Sequence, residues 1–224
     1  MLFLRSIIDN LFNTEKQTAG DLASFRGTWD CDQSSRVESL KLPSRFRTLC
    51  EPMVTIHCTD VRGGFGVAPK HAHRFEDALL DRYAHVAYHA IASRRLGAVH
   101  NHSIHRRTSH GNAGNRGVGF ATDCAHDEPL TPELATATFR ALCLLVGEVY
   151  ALTGEIVQLV PHRAFSAQRR NDPGPHVWEI VKKVALVSRA EINYTLAEDK
   201  GLPVPSSWDD QALFDFRGRR LMSQ

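Results

Sequence analysis

The chain has 224 residues, 42% of them hydrophobic and 23% charged, and a formal net charge of +2. That length holds one sizeable domain with extensions, or two small ones, and the apolar content is ample for a core. A nearly balanced charge gives no support to a nucleic-acid partner. Five scattered cysteines (31, 50, 58, 124 and 143), none in a Cys-x-x-Cys pair, exclude a disulfide framework and a cysteine-only zinc knuckle.

The first stretch, "MLFLRSIIDNLFN", carries Leu2, Phe3, Ile7, Ile8, Leu11 and Phe12 at helical spacing. Arg5 and Asp9 break its apolar run and no small-residue cleavage site follows, so a secretory signal peptide is not expected. Synthesis in the cytoplasm follows as the expectation. No segment approaches the ~20 apolar residues of a membrane span, so stable membrane insertion is not expected either. Residues 14–50 are polar and irregular and read as a wrapping extension.

From residue 52 the pattern changes. "PMVTIHCTD" (52–60) alternates as a strand, with Val54, Ile56 and Cys58 on one face and Thr55, His57 and Thr59 on the other. Residues 62–69 are glycine-rich and form a loop. A helix is expected over 73–85, strands over 86–93, 96–101 and 116–123, and a long helix over 131–151. That helix has Thr131 as N-cap, Pro132 in its first turn and Gly154 after its end. A strand over 155–161 and an amphipathic helix over 176–187 follow. Mixed strands and helices without a GxGxxG turn predict an α/β domain of a single mixed sheet flanked by helices, one that does not bind nucleotides. The expected organisation is an N-terminal extension (1–50), a central domain (51–189) and a C-terminal extension (190–224).

The chemistry concentrates on a few side chains. A zinc hydrolase needs three nitrogen or oxygen ligands held by separate rigid elements and an open fourth position. His57 lies on a strand, His162 just after another, and Asp172 ends the loop that His162 opens, stiffened by Pro173 and Pro175. Taken singly, a strand histidine has a plainer structural role and Asp-Pro-Gly is an ordinary turn. Their spacing within "PHRAFSAQRRNDPGPHVW" (161–178) is what points to a site. "VHNHSIHRRTSH" (99–110) is rich in histidine, but no carboxylate or cysteine lies nearby; apart from His110 it reads as a polar cleft wall with exposed histidines, not as a second metal site.

"VTIHCTD", "AYHAIASRRLG", "SHGNAGNRGVGF" and "PHRAFSAQRRNDPGPHVW" occur in that order. Together they resemble the zinc-dependent N-acetylmuramoyl-L-alanine amidases and peptidoglycan recognition proteins, over about residues 52–187. The resemblance implies that fold and one zinc ion held by His57, His162 and Asp172. It implies Tyr88 and Arg170 as catalytic residues, and His110, Asn115 and Asn171 as substrate-binding residues. It departs from the family twice: Arg170 stands where lysine is usual, and Ala121 where many bacterial members have glutamate, which makes Tyr88 the better acid–base candidate.

The implied substrate is peptidoglycan or a muropeptide, cut between the lactyl group of N-acetylmuramic acid and L-alanine. A phage-type lysis enzyme is the first expectation. A cytoplasmic recycling amidase and a binding module that does not cut are the alternatives. Nothing in the sequence sets the oligomeric state.

Overall fold

The computed structural model describes residues 28–35, 45–46, 51–65, 80, 82–108, 110, 117–194 and 201–209. The helix expected over 2–12 and Asn115 lie outside the described residues. Of the helix expected over 73–85, residue 80 and residues 82–84 are described and are helical.

The strands in chain order are β1 (Cys31–Asp32), β2 (Arg45–Phe46), β3 (Met53–Cys58), β4 (Ala90–Ser93), β5 (Gly97–His100), β6 (Arg106–Arg107), β7 (Val118–Thr122), β8 (Val157–Pro161) and β9 (Ala190–Ile192). The helices are α1 (Pro132–Thr153), α2 (Pro175–Val187) and the short α3 (Ser206–Asp209). Seven strands form one mixed sheet in the order β1-β5-β4-β7-β3-β8-β9, while β2 and β6 make a separate pair. Within the large sheet only β4 and β5 run antiparallel. The tight Arg94–Arg95 connection makes that pairing, as a short link must.

β3 is buried at all six positions, as a strand covered on both faces should be. Its alternation still sorts the two faces. Val54, Ile56 and Cys58 join Phe120, Leu142, Leu145 and Trp178 in the main core. Met53, on the other face, packs with Val160, Ala164 and Phe165. The main core lies between the sheet and helices α1 and α2, which also pack on each other. Each large side chain buried there contributes about 1.5–3 kcal/mol relative to exposure.

α1 begins and ends where its residues dictate. Thr131 accepts a hydrogen bond from the Leu134 N–H, Pro132 fills the first turn, and Gly154, at φ 72°, caps the end with its N–H on Tyr150 O. By length and composition alone this 22-residue helix could cross a membrane, contrary to the expectation that no segment approaches a span. Its apolar face, from Leu134 to Val149, is instead buried in the protein.

Both edges of the sheet come from outside residues 51–189. β1 pairs with β5, and Trp29 just before it stacks on His100 at 5.0 Å and donates to Glu148 Oε1 on α1 at 2.8 Å. β9 pairs with β8. Further on, Trp208 of α3 packs into the main core beside Trp178.

Candidate metal centre

β3 and β8 are parallel neighbours with Ile56 opposite Pro161. One residue further along each chain come His57 and His162, which therefore emerge side by side near the carboxyl ends of their strands. That is where open α/β sheets place their ligands. His57 faces away from the helices because Ile56 and Cys58 face toward them. His162 opens a 3-10 turn (His162–Ala164), a second follows (Ala167–Arg169), and the chain returns at Asp172 to enter α2. The Asp172–Pro173 peptide is cis, and Gly174, at φ 90°, begins the turn into the helix.

The three side chains meet. Asp172 Oδ2 lies 2.8 Å from His162 Nδ1 and 3.4 Å from His57 Nδ1. Asp172 Oδ1 accepts the Cys58 N–H at 2.8 Å. One ligand atom from each of the three residues can be chosen so that all lie within 4.8 Å of one another. An ionised carboxylate only accepts, so the short contact puts a proton on His162 Nδ1 in the metal-free protein.

Burial and neighbouring charge set the protonation of His57 and Asp172. Burial drives the His57 pKa down to about 4, against the pull of its Asp172 contact, so the ring is neutral at neutral pH. Burial pushes the Asp172 carboxyl up, but the hydrogen bond from His162 and the close His57 ring outweigh it and hold it well below the usual carboxylate range. Both ring nitrogens of His57, including the Nδ1 that faces Asp172, are buried with no hydrogen-bond partner. A buried polar nitrogen left unpaired is costly and needs an explanation. Two imidazoles and one carboxylate are a donor set that suits zinc, and a metal ion would give the unpaired His57 nitrogen a partner.

The cluster lines a pocket of about 330 Å³, a size that admits a small ligand. Tyr88 lies against it, 4.9 Å from the His57 ring. Tyr88 falls in the bend before β4, not in the strand expected over 86–93. Asn101 Nδ2 takes up the carbonyls of Tyr83 and Tyr88 and so replaces strand pairing there. Burial pushes the Tyr88 phenol up, with the Asp172 charge adding to it, so the group stays a hydroxyl donor. His110 stands 5.7 Å from His57, edge to face. Gly119 permits this, since a Cβ there would sit 2.6 Å from His110 Cγ. Arg169, Arg170 and Asn171 also line the pocket.

Ala121 is fully buried opposite His57 in the β3–β7 register and offers no ionisable group. The histidine-rich stretch does not form an exposed cleft wall. His102 is buried with Nε2 on Val86 O at 2.8 Å, and His100 is sandwiched by Trp29 with Asp32 and Glu148 near its ring. The reason is the turn after β5, which folds 101 and 102 under the His89 carbonyl.

Two groups at the site escape sequence reasoning. His126 Nδ1 pairs with Asp60 Oδ1 at 2.7 Å at the pocket mouth, and His126 Nε2 lies 3.3 Å from Asn171 Nδ2. Asp60, at φ 57°, is the one non-glycine residue with positive φ among the described residues, a strain that clusters at functional sites. Asp123 accepts from Thr59 Oγ1, Tyr83 O–H and Phe65 N–H, and so fixes the wall behind Phe65. The available signal was positional: Asp60 and Asp123 come two residues and one residue after the ends of neighbouring parallel strands.

In its overall path the chain is similar to peptidoglycan recognition proteins and N-acetylmuramoyl-L-alanine amidases. Drosophila peptidoglycan recognition protein SD is 18% identical, with 68% of this chain and 93% of that one covered and a TM-score of 0.49. An N-acetylmuramoyl-L-alanine amidase of Clostridium intestinale is 17% identical over 71% and 93% of the two chains, with a TM-score of 0.46. The endolysin of the Thermus scotoductus bacteriophage Ph2119 is 16% identical over 70% and 96%, with a TM-score of 0.45. No protein-family model matches the chain, and no curated protein sequence matches it.

Proposed function

We propose that this chain is a zinc-dependent N-acetylmuramoyl-L-alanine amidase, which hydrolyses the amide between N-acetylmuramic acid and L-alanine in peptidoglycan. The observation that carries this reading is the meeting of His57, His162 and Asp172 in one pocket, with both ring nitrogens of His57 buried and unpaired. The motifs around these residues, "VTIHCTD" and "PHRAFSAQRRNDPGPHVW", supply the substrate class.

His57, His162 and Asp172 would hold one zinc ion, which when bound supplies Lewis acidity and activates water near neutral pH. Asp172 is kept ionised by its two histidine contacts, and its other oxygen is fixed by the Cys58 N–H. Tyr88, a protonated phenol beside His57, donates a hydrogen bond to the carbonyl oxygen as negative charge develops there. Arg170 offers a permanent cation in the same pocket for the same charge. With Ala121 at the register position opposite His57, proton delivery to the leaving amine falls to Tyr88. Arg169 and Arg170 also face incoming stem-peptide carboxylates, with His110 and Asn171 lining the path.

The test is zinc content by elemental analysis together with mass spectrometry of digested peptidoglycan. Free L-alanine amino termini and intact glycan, lost on chelation, are expected. Zinc-loaded protein that binds walls and releases nothing would show a binding module instead. Synthesis in the cytoplasm and access to the wall after release fit a lysis enzyme of the phage type. Release from soluble anhydro-muropeptides but not from intact walls would show the recycling alternative.

A further inference from the structure

His162 and Asp172 sit at the two ends of a loop whose middle residues, 167–171, are exposed. Beyond the contact between His162 and Asp172 themselves, further bonds tie these two ends together. Arg163 gathers them. Its N–H donates to Asp172 O at 3.2 Å, and its Nη1 donates to Arg170 O. Its own carbonyl accepts the Leu202 N–H at 2.8 Å, and its guanidinium carbon lies 5.0 Å over the Trp208 ring. One residue thus joins both ends of the loop to the segment 201–209.

That segment is itself anchored. Trp208 is only 7% exposed, lies 6.2 Å from Trp178 on α2, and its carbonyl accepts from Lys182 Nζ at 3.2 Å. Gly201 allows the chain to pass close, since a Cβ there would collide with the Ala164 carbonyl. α2 begins three residues after Asp172, so the anchor and the loop share one support.

We propose that the segment 201–209 is a strut for the metal-holding loop, in which Arg163 and Trp208 act as positioning residues that keep His162 and Asp172 at ligand distance. The inference rests on the reading of His57, His162 and Asp172 as a zinc site. Groups that orient metal ligands without touching the metal change affinity by about 10- to 100-fold when removed.

The test uses the full chain and the variants Arg163→Met, Arg163→Lys, Trp208→Leu and Arg163→Met/Trp208→Leu. Met keeps an apolar stem over Trp208 and removes the donors; Leu keeps apolar filling and removes the ring face. Zinc affinity is read by competition with a chromophoric chelator, and amide hydrogen exchange is read on the metal-free protein. Each single Met or Leu variant is expected to bind zinc about tenfold more weakly. Exchange should quicken at the amides of Arg163, Asp172 and Leu202 while β3 stays protected. Arg163→Lys should recover part of the affinity, and the double variant should be no weaker than Arg163→Met alone. Unchanged zinc affinity in Arg163→Met, with the unaltered chain binding one zinc, would overturn the strut and leave the site standing. No zinc uptake by the unaltered chain would overturn the site reading and the strut with it. Should Trp208→Leu not fold, Arg163→Met decides alone.

Discussion

The imidazole rings of His57 and His162 lie 4.3 Å apart, edge toward face, with Asp172 Oδ2 within 3.4 Å of one ring and 2.8 Å of the other. Two histidines this close, both turned toward one carboxylate, are a group that could hold a metal ion. Asp172→Ala and His57→Ala should each abolish stoichiometric zinc and wall hydrolysis. Asp172→Ala also strands the Cys58 N–H, a loss of about 1–3 kcal/mol. Asp172→Asn keeps that acceptor and should stay closer to full stability. Elemental analysis and urea unfolding check both halves; zinc retained by Asp172→Ala contradicts the assignment.

Arg170 and Tyr88 both line the pocket and neither belongs to the donor cluster. Arg170→Ala and Tyr88→Phe should keep zinc and lower turnover by about 100-fold each, the usual effect of losing a donor to a developing oxyanion. Steady-state assays on a soluble muropeptide measure this. Turnover at the original rate would place these side chains outside the reaction.

Asp123 ties three donors from three segments into one buried carboxylate. Asp123→Ala strands the Phe65 N–H, while Tyr83 O–H and Thr59 Oγ1 keep Ser93 and Cys124 as partners, and should cost about 1–3 kcal/mol. The loss should appear as a lower urea midpoint, and as faster proteolysis next to Phe65. Asp123→Asn, which retains an acceptor oxygen, should fall between. An unchanged midpoint in the alanine variant would show that water replaces the carboxylate without cost.

Acid should weaken the metal-free fold in a defined window. Burial lowers both His57 and His102 from 6.5 to about 4, so the unfolded chain takes up protons first as pH falls. Stability is then full above about pH 6.5 and declines toward pH 4, by about 3 kcal/mol for each ring. Asp123 opposes this, because its carboxyl is raised by burial and takes up its proton more readily when folded. His102→Gln should flatten the decline, since Gln can still donate to Val86 O and does not charge. Urea unfolding at pH 7, 6, 5 and 4 measures the slope; a variant as pH-dependent as the parent would exclude His102 as its source.

Much of this protein was written in local order. The alternation of "MVTIHC" assigned His57 and Cys58 to opposite faces, and the structure buries Cys58 in the main core. Thr131, Pro132 and Gly154 fixed the start and end of α1 through backbone needs that are met within a few residues. The His162–Asp172 pairing was legible for the same reason: a short loop closed by Pro and Gly leaves its ends few ways to be apart.

What needed the fold was everything set by register between distant strands. His57 meets His162 only because β3 and β8 pair with Ile56 opposite Pro161. His126 meets Asp60 and Asn171 only because the loops after β3 and β7 leave neighbouring strands on the same side. The buried place of His102 and the support that Trp208 gives to Arg163 have the same origin. A side chain's own neighbours in sequence state which way it points along its strand, but its partner across the sheet depends on a pairing that no local pattern encodes.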